Sequence, residues 1–286
     1  MKLKHYLLIL LLCGLSTIPA QSFIPSGQIG TFISAKSFSI NSAGFIYVAD
    51  VAVNEIIKLD TLGKVVKSIG GYGWSESSFD NPVDIFATTL NVYVCDKNNN
   101  RIQFFDKDLN FLSEFSTQES DDDRIKFKYP ICAEVSTQGD LYILDADDKR
   151  ILKFNLRGEY QVTIGSYDAG MFALADPKQF GISSSTKIIV TDPPDLVIFD
   201  QFGNGIRKIQ LPFSVDNINT TFENICVNNK SQIALFNDAN LESGNINPAI
   251  FNPGLEDEIV DALIFNSKLY VLTKNTILIY KLFPSN

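Results

Sequence analysis

The sequence predicts an all-β fold, a six-bladed β-propeller of four-stranded antiparallel blades whose last blade is closed by the N-terminal strand. Three observations carry this. A unit recurs along the chain: apolar strand, short turn, strand ending in Asp, polar turn, apolar strand ending in Asp or Asn. Its anchoring acid returns at Asp50, Asp96, Asp145 and Asp192, at intervals of 46, 49 and 47 residues. The strands alternate apolar and polar residues or run wholly apolar, rich in Ile, Val, Phe and Tyr, and no helix-length window after residue 27 shows a 3.6-residue period. Six units of about 44 residues, each with four strands, is the arithmetic of a closed propeller.

The chain of 286 residues opens with "MKLKHYLLILLLCGLSTIPAQS". Lys2 and Lys4 precede an apolar run, Leu7 to Leu12, that is too short to span a bilayer, and Ala20 follows Pro19. Residues 1–20 therefore read as a secretory signal cleaved after Ala20, with residues 21–286 as one domain that is secreted or periplasmic and has no membrane span. Leu12 before Cys13 argues against a lipoprotein, because a lipobox wants a small residue there.

Units one to three read "FSINSAGFIYVADVAVNEIIKLD" (38–60), "VDIFATTLNVYVCDKNNNRIQFFD" (83–106) and "CAEVSTQGDLYILDADDKRILKFN" (132–155). Unit four is "FGISSSTKIIVTDPPDLVIFD" (180–200), and unit five is a degraded copy, "ICVNNKSQIALFND" (225–238), continued by "PAIFN" (248–252). Unit six, "DALIFNSKLYVLTKNTILIYK" (261–281), supplies three strands, so the fourth is expected from "SFIPSGQIGTF" near the start. Segments such as "KVVKSIG", "FLSEF", "YQVTIG" and "IRKIQL" supply the outer strands between units. A single blade cannot bury its faces alone, so the ring is expected to fold as one.

Composition excludes several chemistries. The formal net charge is −9 and would become −11 on loss of Lys2 and Lys4, which disfavours nucleic acid as a partner. The one histidine is His5, so residues 21–286 cannot build a His-ligated zinc site, a Ser-His-Asp triad or a Cys-His pair. Cys95, Cys132 and Cys226 sit in apolar runs and read as small buried thiols, with a Cys132–Cys226 bridge as the alternative.

The signature of unit two, "GGYGWSESSFDNPVDIFATTLNVYVCDKNNNRIQFFD", resembles an NHL repeat. The matching residues are Phe79, Pro82, Tyr93, Val94, Asp96, Asn99, Asn100, Arg101, Ile102 and Phe105; unit three repeats the pattern through Phe127, Pro130, Tyr142, Asp145, Arg150, Ile151 and Phe154. Unit one has Glu55 where Arg is expected, unit four shortens the turn to "DPPD", and units five and six keep only the apolar pattern. The resemblance implies the propeller. Across that broad group it implies no one activity: RNA binding, protein binding, extracellular sensing, Ca²⁺-dependent lactone hydrolysis and a zinc-dependent amidating lyase all occur. The missing histidines count against the lyase, and the charge against RNA.

Three sets of residues are candidates for function. Propellers line a central channel with the starts of their inner strands, and the equivalent positions are Ser37, Asp84, Cys132, Gln179, Asn224 and Asp261, with Glu134 two residues beyond Cys132. Such oxygen donors suit a small polar ligand, or Ca²⁺ on Asp84, Asn224 and Asp261; the plainer reading is a water-filled channel that is polar in any case. The loops before the inner strands carry Tyr72, Trp74, Tyr167 and Phe172 and form a candidate face for a protein or glycan, or merely fill gaps between blades. The knot "DKNNNR" reads as a turn, since Asp and Asn tolerate left-handed backbone, with Arg101 and Arg150 pairing to Asp96 and Asp145. The run Asp121 to Asp123 reads as a solvated loop, and Asn219 and Asn229 match the glycosylation pattern.

The sequence thus points to a monomeric, non-enzymatic binding module with no catalytic residues and no cofactor. The alternative is a Ca²⁺-dependent lactonase- or esterase-like hydrolase with its site in the channel.

Overall fold

The computed structural model describes residues 22–283 apart from 223, 244, 245 and 247; the expected signal at 1–20 lies outside the described residues. Strand β1 (Ser22–Ile29) comes first and belongs to the last blade. Blade one is β2 (Ala35–Ile40), β3 (Ile46–Asp50), β4 (Glu55–Leu59) and β5 (Val65–Gly70). Blade two is β6 (Pro82–Ala87), β7 (Asn91–Asp96), β8 (Arg101–Asp106) and β9 (Phe111–Phe115). Blade three is β10 (Pro130–Val135), β11 (Leu141–Asp145), β12 (Arg150–Phe154) and β13 (Tyr160–Ile164). Blade four is β14 (Gln179–Ile182), β15 (Ile188–Asp192), β16 (Asp195–Phe199) and β17 (Gly205–Gln210). Blade five is β18 (Asn217–Thr221), β19 (Asn224–Asn228), β20 (Ile233–Asn237) and β21 (Ala249–Phe251). Blade six is β22 (Ile259–Phe265), β23 (Lys268–Thr273) and β24 (Ile277–Phe283), completed by β1.

Six four-stranded antiparallel sheets therefore form a six-bladed propeller. The expected closure is present: β1 pairs antiparallel with β24 from Ser22↔Phe283 to Ile29↔Ile277. Among the described residues one short α-helix, α1 (Asp238–Ser243), interrupts the all-β pattern between β20 and β21, and single 3-10 turns at Asp123–Ile125 and Gly170–Phe172 lie in loops between blades; six residues are too few to leave a periodic signal.

The core lies between the blades. Six apolar clusters follow the ring, and each joins two neighbours: Phe38 and Val48 meet Leu263 and Leu272 between blades one and six, for example, and Tyr142 and Leu144 meet Val190 and Val197 between blades three and four. The loop entering each of the first four inner strands drops one apolar residue, Phe32, Phe79, Phe127 or Leu174, into such a seam. Phe79 and Phe127 are the Phe of the Phe-x-x-Pro motif and are fully buried. A buried Phe of this kind is worth about 1.5–3 kcal/mol.

The anchoring Asp holds that same loop in place. Asp50 accepts the Ile33 and Ser34 N–H groups at 2.7 and 2.9 Å, Asp96 accepts Asp80 N–H at 2.8 Å, Asp145 accepts Lys128 N–H at 3.1 Å, and Asp192 accepts Ala175 and Asp176 N–H at 3.0 and 2.6 Å. The acid or amide that ends each third strand has a different task. Asp60, Asp106, Asn155 and Asp200 each accept N–H groups two and four residues on, closing the turn to the outer strand.

Candidate functional site

In each meander the first-to-second and third-to-fourth turns lie on one face of the disk. The second-to-third turns and the loops between blades lie on the other. The channel mouth, the Tyr72–Trp74 loop and the "DKNNNR" turn all fall on this second face.

The register of each inner strand against its partner identifies the channel ring. Ser37, Asp84, Cys132, Gln179 and Asp261 all stand opposite the residue before the anchor position, at Ala49, Cys95, Leu144, Thr191 and Leu272. In blade five that place belongs to Asn217, opposite Asn228. The expectation for Asn224 is therefore corrected: it begins the second strand β19, pairs with Thr221 and Asn237, and is exposed outside the channel ring. The true inner strand, "NINTT", was missed because it is polar and lacks a Phe-x-x-Pro lead; the recurring spacing of about 47 residues was the signal that could have found it.

The ring side chains bond the backbone of the next blade. Ser37 Oγ accepts Ile85 N–H at 3.3 Å, Asp84 Oδ2 accepts Ala133 N–H at 3.1 Å, Cys132 Sγ–H donates to Phe180 O at 3.4 Å, and Gln179 Oε1 accepts Ile218 N–H at 2.9 Å. Asn217 Nδ2 donates to Val260 O at 2.8 Å, and Asn219 Nδ2 donates to Ala262 O at 3.1 Å and to Asp261 Oδ1 at 2.7 Å. One layer deeper, Ser39 Oγ accepts Ala87 N–H at 3.0 Å and Glu134 Oε2 accepts Ile182 N–H at 2.9 Å. An inner strand has a free edge with no fifth strand to pair it, and buried N–H and C=O groups need partners. The polar ring supplies them.

Burial dominates the electrostatics here. It pushes the Glu134 and Asp261 carboxyls up to about 8, with the nearby Asp84 charge adding to both shifts and the Ile182 and Ala262 N–H groups opposing them. Asp84 is raised for the same reason, opposed by Ala133 N–H and Ser37. Gln179 Nε2 reaches across from blade four to Asp84 Oδ1 at 3.5 Å, so Ser37, Asp84 and Gln179 do converge.

As a Ca²⁺ site the set does not fit. Both oxygens of Asp84 and one each of Glu134 and Asp261 already accept hydrogen bonds, and Asn224 is elsewhere. Ca²⁺ takes six to eight oxygens, and among the described residues no three His, Cys, Asp or Glu side chains are grouped to hold a metal. The Cys132–Cys226 bridge is also corrected: both thiols are free and buried, as is Cys95, and they belong to different seams. The amide of Asn219 is spent on Asp261 and Ala262, against its reading as a glycan acceptor.

On the loop between blades one and two, Tyr72 and Trp74 are 65% and 68% exposed, with ring centroids 5.5 Å apart at 69°. Arg101, buried, holds this loop: it pairs with Asp96 at 2.8 Å and Glu114 at 2.6 Å and donates to the carbonyls of Trp74, Ser75 and Ser78 at 2.8–2.9 Å. Arg150 repeats the pairing with Asp145 at 3.2 Å. The turn reading of the knot holds, and Asn54, Asn100 and Lys149 take the left-handed conformation at matched positions (φ 54, 51 and 52).

Tyr167 is 93% exposed, but on the loop between blades three and four. Phe172 does not join an exposed face; it packs over Gly205 and against Phe199, filling the gap between the loop and the blade. The aromatic face therefore reduces to the Tyr72–Trp74 pair, with Tyr167 apart from it.

The inner ring opens at this face into a cavity of about 910 Å³. Six lysines line it, one from each blade: Lys36, Lys97, Lys149, Lys178, Lys230 and Lys274. Its acids other than the buried Asp84 and Asp261 are Asp176, Asp216 and the run Glu256 to Glu258. Sequence reading saw Lys97 only as part of a turn.

No protein-family model matches the chain. It is 27% identical over 143 residues to the Protein brain tumor of Drosophila melanogaster, a stretch that is 49% of this chain and 13% of that protein. Among solved structures it is similar to virginiamycin B lyase from Staphylococcus aureus (TM-score 0.63, 10% identity, 92% of this chain and 100% of that one). It is also similar to a streptogramin B lyase (TM-score 0.60, 13% identity, 92% and 97%), and to a catalytically inactive form of the S. aureus enzyme with quinupristin (TM-score 0.62, 10% identity). At these identities the structures share the fold. No helix among the described residues is long and apolar enough to cross a membrane.

Proposed function

We propose that this chain is a secreted or periplasmic, non-enzymatic β-propeller that binds a protein partner through the loop carrying Tyr72 and Trp74. One observation carries the reading. Two large aromatics stand well exposed on a loop whose carbonyls are clamped by a buried arginine. Trp, Tyr and pre-organised loops are what binding hot spots are made of, since little side-chain and loop entropy is left to lose on association.

The hydrolase alternative draws no support from the channel, where the carboxylates bond the neighbouring blade. Nor does the fold likeness bring the lyase activity with it. The inactive form of the solved lyase has alanine in place of a histidine, and the one histidine of this chain is His5, outside the propeller strands.

The test uses Trp74 itself. A photo-crosslinking residue at position 74 should capture a defined protein from the native extract, and Tyr72→Ala should abolish capture. Equal capture by the Tyr72→Ala form would sink the reading, and loss of capture only after glycosidase treatment of the extract would move it to a glycan.

A further inference from the structure

The lysines at the channel mouth are not equivalent. Lys178 is paired with Asp176 at 2.5 Å and Lys230 with Glu258 at 3.0 Å. Lys36, Lys97, Lys149 and Lys274 make no ion pair among the described residues. These four come from blades six, one, two and three, which are consecutive around the ring. Lys274 and Lys36 are also tied together, because Ala35 N–H donates to Lys274 O at 2.9 Å. The acids of the mouth lie on the remaining arc, from blades four and five and the loop into β22. A chain of net charge −9 thus carries four uncompensated cations on one side of a concave mouth, where low-dielectric walls concentrate their field.

One buried carboxyl of the cavity feels the charge of Lys36. Asp261, 1% exposed, also lines the cavity, and its Oδ2 is a buried oxygen with no hydrogen-bond partner. Its Oδ1 accepts Asn219 Nδ2 and Ala262 N–H. Burial raises this carboxyl to about 8, with the Ala262 and Phe38 N–H groups and the Lys36 charge opposing the shift.

We propose that the channel mouth binds a small multivalent oxyanion, a phosphate ester or a polycarboxylate, held by Lys36, Lys97, Lys149 and Lys274. The volume lies in the range of small-ligand pockets. The acidic arc sets an upper limit on ligand size: a long polyanion would have to cross Asp216, Glu256 and Asp257, whereas a compact anion need only occupy the cationic side. This site is separate from the Tyr72–Trp74 loop, whose residues do not line the cavity.

The probes are pyrophosphate and citrate, titrated into the full propeller by calorimetry at matched ionic strength. Saturable binding of either is expected; pyrophosphate alone assigns a phosphate ester, citrate alone a polycarboxylate. Lys36→Gln and Lys274→Gln should each weaken binding about threefold, the loss of one solvent-exposed charge contact. Lys64→Gln, on the opposite face, makes the same change in net charge and should leave the affinity within about twofold, as should Trp74→Ala, so that failure here is distinct from failure of the aromatic loop. No saturable heat with either probe, or equal weakening by Lys64→Gln and Lys36→Gln, would overturn the proposal.

Discussion

The carboxylate of Asp84 accepts the Ala133 N–H of the next blade at 3.1 Å while its other oxygen accepts Ser37 Oγ of the previous blade at 2.9 Å, so one side chain ties three blades together. Asp84→Ala would leave the buried Ala133 N–H and Ser37 hydroxyl without that partner, at about 1–3 kcal/mol for an orphaned group. The urea midpoint should fall clearly, whereas Asp84→Asn, which keeps an acceptor, should cost much less. Equal losses in the two variants would show that the carboxylate charge, not the hydrogen bond, is what the ring needs.

Glu134 and Asp261 give the fold a pH dependence. Their folded values near 8 lie above those of an unfolded carboxyl, so between about pH 4 and 8 the folded state binds more protons than the unfolded one. Their contribution is fully present below the unfolded value and is lost as pH rises through the folded one. Melting temperature should therefore decline from pH 6 to 9. Glu134→Gln, whose amide oxygen can still accept Ile182 N–H, should flatten that decline and raise the melting temperature at pH 9. An unaltered slope in this variant would remove Glu134 from the account.

Arg101 joins stability to the candidate face. Arg101→Ala leaves Asp96 buried without its cation, and breaking such a pair by one partner costs about 3–5 kcal/mol. Arg101→Lys should restore little, because an ammonium cannot reach two acids and three carbonyls in one fork. Trp74, the single tryptophan, reports on the loop: its fluorescence anisotropy should fall in both variants. Anisotropy unchanged in Arg101→Lys would mean that the loop is held by other contacts.

Ring closure rests on β1. Removing residues 22–29 exposes the β24 edge, and an unpaired apolar edge invites another chain. The truncated protein should melt at lower temperature and elute as larger species than the intact chain. A monomeric truncation with unchanged melting would show that blade six is stable with three strands.

The buried thiols offer a check on the seams. Cys95, Cys132 and Cys226 are shielded, and burial pushes all three thiols up, so they should resist a thiol reagent in the native state and react together on unfolding. Fast native reaction of Cys132 would place it outside the ring described above.

Sequence by itself determined the propeller, the strand order in blades one to four and six, and the closing strand. Those features are local and repeated: a period of two in each strand, an Asp that caps its own blade's loop, a Phe that drops into the nearest seam. It also read the Asp96–Arg101 turn correctly, since both partners lie within six residues of each other. Tertiary structure alone decided what the channel residues do. Ser37, Asp84 and Gln179 find their partners on another blade some 40 to 50 residues away, and nothing in their own spacing says whether such an oxygen meets a ligand or a backbone N–H. Blade five was misread at Asn224 because its inner strand spends hydroxyls and amides on its neighbours and so carries no apolar signal. The cationic arc was invisible because its members are scattered along the chain: Lys36 sits at the bulge opening strand β2 and Lys97, Lys149 and Lys274 in turns, and only closure of the ring sets them around one mouth.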